Sequence, residues 1–301
     1  MSAAVPKVFI IVLNWNNIDD TLECLDSAIN ITYPNYEIVF IDNHSNDNPV
    51  QTITRKYPGI HIIENEENIG YAGGNNRGIE YSMKNNAEYV FLLNNDTTVD
   101  KECLNELVKV FGNDSHICAA GPMTYDYYQP GIAYVSGETI NWWRGKPSYK
   151  RENKFEANDI INMSFLSGCA ILVRSDVIKK VGMMDENYFL FYEDIDWCCR
   201  MRKAGFKVVS VPAAKIWHKE SRTTGGTYTP AGLYYGTRNR LYFMKKNATL
   251  PVFIFFLIFV FPFSVIKNIW RWRSKKTERN CFLNGILDFF KGRYGKGTYN
   301  I

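Results

Sequence analysis

The sequence predicts an α/β chain on a mostly parallel central sheet with flanking helices, followed by a hydrophobic helical region. Three observations predict it. Short apolar runs alternate with amphipathic stretches over the first 120 residues. Those runs are nearly continuous rather than alternating, as strands covered on both faces of a parallel sheet require. Residues 250–266 contain no charge at all. With 46% hydrophobic and 22% charged residues, the 301-residue chain lies in the globular range, which excludes a disordered tail or a coiled coil.

The elements follow in order. "KVFIIVLNW" (residues 7–15) reads as the first strand; its short apolar run, single lysine and lack of a small-residue cleavage site argue against a signal peptide. A helix is predicted over 18–31, then strands at "YEIVFIDN" and "IHIIENEEN", a helix over 73–85, and a strand at "EYVFLLNND". Residues 122–159 lose this pattern in aromatic and Gly/Pro-rich sequence, predicting loops and short strands. "NMSFLSGCAILVRSDVIKKVG" restores a strand and a helix. "FYEDIDWCCRMRKAGFKVV" gives a helix and a strand joined by a turn at Gly205.

Three strands end in polar sets rich in Asn and Asp, at 14–17, 42–47 and 94–96. A polar turn explains any one of them. In open α/β sheets, however, ligands bind at the C-terminal ends of strands, so three such ends point to a site. "ENIGYAGGNNRGI" (67–79) is a glycine-rich loop entering a helix, without strict G-x-G-x-x-G spacing and after the third strand rather than the first. In "FLFYEDIDWCCRMR" the acids Glu193, Asp194 and Asp196 stand at a helix start, where they either cap the helix or supply a general base kept partly dry by neighbouring aromatics. His218 in "KIWHKES" is either a hydrogen-bonded structural histidine or, with one aspartate and a diphosphate, a ligand for Mg²⁺ or Mn²⁺.

The seven cysteines are odd in number, scattered and without CxxC spacing, which predicts reduced thiols in a cytosolic compartment. Beyond residue 244, eleven Lys/Arg face only Glu278 and Asp288, so the basic surplus of the chain is local to its C-terminus. The seventeen uncharged residues 250–266 would span roughly 25 Å as a helix, slightly short of a hydrocarbon core of about 30 Å. Pro251 and Pro262 are expected to shorten the uninterrupted helix further. Trp270 and Trp272 interleaved with Arg271, Arg273, Lys275 and Lys276 suit an anionic headgroup layer, which predicts a re-entrant or interfacial association with a membrane.

Taken together, these segments resemble a family 2 inverting glycosyltransferase of GT-A fold, of the rhamnosyltransferase-like subgroup. "IVLNWNN", "VFIDNHSND", "NIGYAGGNNRG", "LLNNDT" and "FLFYEDIDWCCR" match that family's segments in order, and the resemblance covers about residues 7–245. It implies a catalytic domain over 1–245, while the hydrophobic and basic tail makes 246–301 a membrane-associating region, expected on the cytoplasmic face of the cell membrane. It implies that Asn14, Asn16, Asp42 and Asn43 hold the nucleobase and ribose of a UDP-, dTDP- or GDP-linked sugar. Asn68, Gly70, Gly74 and Asn76 would complete that pocket, with Asn94 and Asn95 also at the donor. Asp96 would bind a Mg²⁺ or Mn²⁺ ion, with His218 as second ligand. Asp194 would be the general base and Glu193 would orient a saccharide or lipid-linked acceptor; no nucleic acid is expected.

Two departures matter. The first Asp of the family's DxD is Asn94 here, leaving one acidic ligand, and the Q-x-x-R-W motif of processive members is missing, so transfer of one sugar per encounter is expected. "YYGTRNRLYF" resembles the segment just beyond the core, with Arg238 either a phosphate contact or an ordinary surface arginine. Two competing functions are weighed. A sensor or scaffold that has lost catalysis would be expected to lack Asp96 or Asp194. A nucleotidyltransferase would carry a basic glycine loop after the first strand, where "LNWNNIDD" offers asparagines instead.

Overall fold

In a computed structural model of the protein, residues 5–134, 139–148, 156, 159–219 and 229–299 are described. Four strands, β1 (Val8–Asn14), β2 (Tyr36–Asp42), β3 (His61–Glu64) and β4 (Tyr89–Asn94), pair in parallel in the order β3-β2-β1-β4. Helices α1 (Ile18–Ala28), α2 (Pro49–Lys56) and α3 (Gly70–Lys84) cross between them. A two-residue turn links β4 to β5 (Thr97–Val99), and α4 (Cys103–Asn113) leads to β6 (Ile117–Asp126). Short β7 (Ala133–Tyr134) pairs with β6, and β8 (Thr139–Asn141) forms a separate hairpin with β9 (Lys146–Ser148).

Past β10 (Ile161–Asn162), strand β11 (Ala170–Arg174) enters between β4 and β6, antiparallel to both. Helices α5 (Ser175–Val181) and α6 (Glu193–Lys203) lead to β12 (Lys207–His218), which runs parallel to β6 and antiparallel to β5. The sheet is therefore parallel in its first half and mixed in its second. Strand β1 sends Phe9 and Ile11 into one core and Val8, Ile10 and Val12 into the other, which is why its sequence is apolar throughout.

Strand β6 continues through Pro122, where the pattern of the sequence weakens. Proline is tolerated because its neighbour gives way: Val211 pairs with Pro122 and Lys215 with Met123, so β12 bulges over the three residues between.

Helix α7 (Pro230–Asn247) starts at Thr229, whose hydroxyl accepts from Gly232 N at 3.1 Å. The apolar stretch then forms one continuous helix, α8 (Leu250–Arg271). Its 22 residues correspond to about 33 Å, longer than the sequence suggests. Pro251 lies in the first turn, where a missing N–H costs little, and a π stretch, Phe256–Val260, precedes Pro262. The wider turn makes room for a ring that would otherwise meet the carbonyl four residues back.

Most of α8 is exposed, Phe263 to 73% and Trp270 to 68%. Helix α9 (Lys276–Phe290) packs on α7 so closely that a Cβ on Gly285 would stand 2.6 Å from Tyr234 O. Beyond it the chain returns to the sheet domain: Gly295 N donates to Asn187 O at 2.7 Å, and Lys296 pairs with Glu67 at 2.8 Å. The expected boundary at residue 245 is thus crossed by contacts.

Candidate active site

The polar strand ends come together because β1, β2 and β4 are adjacent and in register, with Asn14 opposite Asp42 and Leu13 opposite Asn94. Asn14 is fully buried. Its Oδ1 accepts from Thr21 Oγ1 at 2.8 Å and Asn95 Nδ2 at 3.2 Å, and its Nδ2 donates to Ser45 Oγ at 3.0 Å. Asp42 accepts from Ser45 N, and Asn16, in a left-handed conformation (φ 50°), accepts from Asn46 N at 2.7 Å. Asn43 donates to Asn68 Oδ1 at 3.0 Å and accepts from Ile69 N at 3.2 Å, tying the glycine-rich loop to β2. Among the described residues, the Asn94 side chain takes part in no hydrogen bond. These contacts make a rigid polar floor.

At one edge of that floor Asp96 meets His218 across 122 residues of chain, Oδ1 to Nε2 at 3.1 Å. Both are largely covered. The antiparallel register of β5 and β12 fixes this, since Thr97 and His218 are partners. Lys219 N donates to Asp96 O at 3.0 Å, and the Lys219 ammonium, itself buried, joins Asp20 and Glu23 of α1. Burial alone would lower the Lys219 pKa, but its hydrogen bonds to the two acids outweigh this and the net shift is upward. No group of three His, Cys, Asp or Glu side chains suited to a metal occurs among the described residues.

Asp194 and Glu193 open α6 after a turn in which Phe189, Phe191 and Tyr192 all have positive φ, 63°, 70° and 78°. Non-glycine residues avoid this region, so the turn is strained and needs outside support. Helix α7 supplies it. Asn239 Nδ2 donates to Tyr188 O and Leu190 O, each at 2.7 Å, and to Phe191 O at 3.0 Å. Arg238, fully buried, donates to Tyr188 O at 3.0 Å and to Gly295 O at 2.7 Å. Arg238 is therefore not a surface residue, and its guanidinium is engaged by the carbonyls of Asn187, Tyr188 and Gly295.

The Asp194 carboxylate accepts from Gly168 N at 2.8 Å and Ile195 N at 2.7 Å, whereas the buried Glu193 Oε2 has no hydrogen-bond partner among the described residues. Burial raises the pKa of both, that of Glu193 well above the ordinary range with Asp194 beside it adding to the rise. Tyr71 links the two halves. Its hydroxyl donates to Gly168 O at 2.6 Å, and burial together with the charges of Glu193, Asp194 and Asp96 drives its pKa up.

The remaining expected residues lie further out. Asn76 donates to Met184 O and Glu186 Oε1 and, with Asn68, lines a cavity of about 600 Å³ shared with Asp185 and Lys296. A Cβ on Gly70 would stand 2.4 Å from Phe189 O and one on Gly74 2.5 Å from Leu13 Cδ1, so protein fills the space in front of both. Asp196 is a structural acid, bound by Arg200, Lys246 and Asn247. Thr21, Tyr71, Gly168, Lys219 and Asn239, which tie these elements together, are not singled out by the sequence: Tyr71 and Asn239 lie within the family-like segments "NIGYAGGNNRG" and "YYGTRNRLYF" and Lys219 follows His218, but their partners are distant in the chain.

Residues 9–182 match the family model described as "Glycosyl transferase family 2". The chain is 26% identical over 313 residues to the dTDP-rhamnosyl transferase RfbF of Shigella flexneri, covering 98% of this chain and 99% of that protein. It is 26% identical over 211 residues to the N-acetylglucosaminyl-diphospho-decaprenol L-rhamnosyltransferase of Mycobacterium tuberculosis, covering 62% and 68%. The fold is similar to that of the mannosyltransferase PcManGT from Pyrobaculum calidifontis in complex with GDP-Man and Mn²⁺. That match has a TM-score of 0.59 at 12% identity and covers 97% of this chain and 89% of that one.

Proposed function

The chain belongs to glycosyl transferase family 2 and is a glycosyltransferase; from that premise we propose a non-processive, inverting enzyme. It transfers one sugar from a nucleotide diphospho-sugar to a hydroxyl of a lipid-linked or cell-envelope saccharide. Of the three nucleotides considered, dTDP is favoured, because the relative matched over almost its whole length is named a dTDP-rhamnosyl transferase. A lipid-linked acceptor is favoured by the diphospho-decaprenol in the name of the second relative. Residues 1–245 form the catalytic part, and α8 with the basic residues after it holds the enzyme to the cytoplasmic membrane face.

The observation that carries this reading is the meeting of Asp96 and His218 at the tip of β4, within the same electrostatic neighbourhood of Tyr71 as Asp194. One carboxylate oxygen and one imidazole nitrogen, both largely covered, fit Mn²⁺ or Mg²⁺ if the donor's diphosphate and water complete the shell. Such an ion, when bound, neutralises charge on the leaving diphosphate. The strand ends at Asn16, Asp42 and Asn43, with Asn68, Asn94 and Asn95 around them and the buried Asn14 beneath, take the nucleoside and its phosphates, whereas Gly70, Gly74 and Asn76 pack against protein and hold the loop. Asp194 accepts the proton of the acceptor hydroxyl as that oxygen attacks the anomeric carbon in line, which inverts it. Glu193, one of whose oxygens has no partner among the described residues, orients the acceptor.

Thermal shift with UDP, dTDP and GDP, each with and without Mn²⁺, tests the donor half. The expected result is the largest rise with dTDP, increased by Mn²⁺, and loss of the Mn²⁺ increment in Asp96→Asn. No response to any nucleotide, or an undiminished Mn²⁺ increment in that variant, would refute it.

A further inference from the structure

Five cations gather where the β8–β9 hairpin, α7 and α8 meet, apart from the residues assigned to the donor, the metal and the base. Arg144 and Lys146 come from the hairpin, Arg240 from α7, and Lys267 and Arg271 from α8. Arg240 knits the three elements together. Its Nε donates to Arg144 O at 2.9 Å, its Nη1 reaches Ser264 Oγ at 3.4 Å, and its guanidinium lies 5.0 Å from the centroid of the Phe256 ring. Burial, then Arg240, Lys267, Arg144 and Arg271, hold the Lys146 pKa below the ordinary lysine value. Among the described residues no carboxylate forms an ion pair with Arg144, Lys146, Arg240 or Lys267. Arg144, Lys146, Arg240 and Lys267, like charges on three elements with no described carboxylate paired to any of them, call for an anion.

Two further observations say which anion. The Tyr192 hydroxyl donates to Gly145 O, in the hairpin, at 3.0 Å. Tyr192 immediately precedes Glu193 and Asp194, and its phenol feels both Arg240 and Asp194, although burial is the chief reason its pKa rises to about 12. The cluster is thus one tyrosine away from the candidate base. Beside it, α8 exposes Phe255, Phe259, Phe263 and Ile266.

We infer that this cluster seats the anionic anchor of the acceptor, a lipid diphosphate. Its phosphates rest on Arg144, Lys146, Arg240, Lys267 and Arg271, its hydrocarbon chain follows the apolar face of α8, and its sugar passes Tyr192 toward Asp194. The inference deepens the proposed transfer to a lipid-linked saccharide and rests on it for the acceptor class. Two adjacent phosphates concentrate charge at one point, which matches cations converging from three elements. Singly charged headgroups spread over a fluid surface match dispersed cations such as Arg273, Lys275 and Lys276 instead.

The test uses the full chain and the double variant Lys146→Glu with Lys267→Glu; Arg240 is left intact because it also holds the hairpin. Flotation is measured on vesicles of phosphatidylcholine alone, with a few mole per cent phosphatidylglycerol, or with the same fraction of a long-chain polyprenyl diphosphate. The polyprenyl diphosphate is expected to strengthen wild-type binding about tenfold over phosphatidylcholine, a difference of about 1.4 kcal/mol. The variant should lose that increment while keeping its binding to phosphatidylcholine and its thermal shift with dTDP. Retention of the increment overturns the inference, and so does an equal increment from phosphatidylglycerol, which would mark a plain membrane-facing surface. Sugar transfer to a lipid-linked acceptor that is undiminished in the variant would overturn this seat and leave the proposed function standing. Wild-type binding of the polyprenyl diphosphate without any transfer would do the reverse.

Discussion

Asp96 and Asp194 are assigned to one proposed site, yet the chain holds them in opposite ways. Asp96 lies in a two-residue turn between β4 and β5, fixed by strand register and by a histidine on the neighbouring strand. No residue of that turn has a positive φ. Asp194 follows a turn with three non-glycine residues in the left-handed region, propped by side chains some fifty residues further on. The proposed donor side is therefore built from the regular geometry of the sheet, and the proposed acceptor side from strain that α7 must hold in place. Damage to the first should stay local. Damage to the second should spread from chemistry into stability.

The largest effect expected from this contrast is at the base itself. Asp194→Asn keeps the shape and one of the two oxygens that accept from Gly168 N and Ile195 N but cannot take a proton, so kcat should fall about 10²- to 10⁴-fold while the thermal shift with dTDP is kept. The wild-type pH profile carries the same information. Burial raises the Asp194 pKa, so activity should be lost as pH falls through a value above that of an ordinary aspartate. Removing the carboxyl should remove that limb. Normal turnover in the variant would mean that another group accepts the proton.

A smaller change should follow from taking away the prop. Asn239→Ala leaves Leu190 O and Phe191 O without the amide that both accept from, while Arg238 still serves Tyr188 O. At about 1–3 kcal/mol for each of these two groups left unmade, unfolding midpoints should report a loss of about 2–6 kcal/mol. Turnover should drop as well, because relaxation of the strained turn moves Asp194, with KM for the donor little changed. A variant that lost stability but kept wild-type kcat would show that the strain is not coupled to the base.

How much of this was legible follows from the same contrast. The alternating elements, the polar ends of β1, β2 and β4 and the acids opening α6 could be seen because each is a short-range pattern in the chain. The turn at 94–96 posed a choice between a plain turn and a ligand site, and structurally it is a turn whose carboxylate meets His218. What stayed hidden was long-range. Asn239 looks like any polar residue of a helix until its partners at 188–191 are known, and Arg238 gives no sign in sequence of its full burial. Pro122 and Pro262 misled for a related reason, since each is accommodated by an irregularity in a segment that the local pattern does not encode, a bulge in β12 and a π turn in α8.

The smallest effect tests whether the donor side is as local as it looks. Thr21→Val keeps the volume of a fully buried side chain but removes a hydroxyl that donates to Asn14 Oδ1 at 2.8 Å and accepts from Asn95 Nδ2 at 2.9 Å. Asn14 Oδ1 still accepts from Asn95 Nδ2 at 3.2 Å, and Asn95 can still donate to Asn17 O at 3.4 Å, so the floor loses one link of several. The stability cost should be about 1 kcal/mol, below that of Asn239→Ala. Because the residues disturbed are those assigned to the nucleoside, KM for the donor should rise while kcat holds. A stability loss equal to that of Asn239→Ala, or a fall in kcat alone, would mean that the strand tips and the strained turn act as one unit, and the contrast between them would fail.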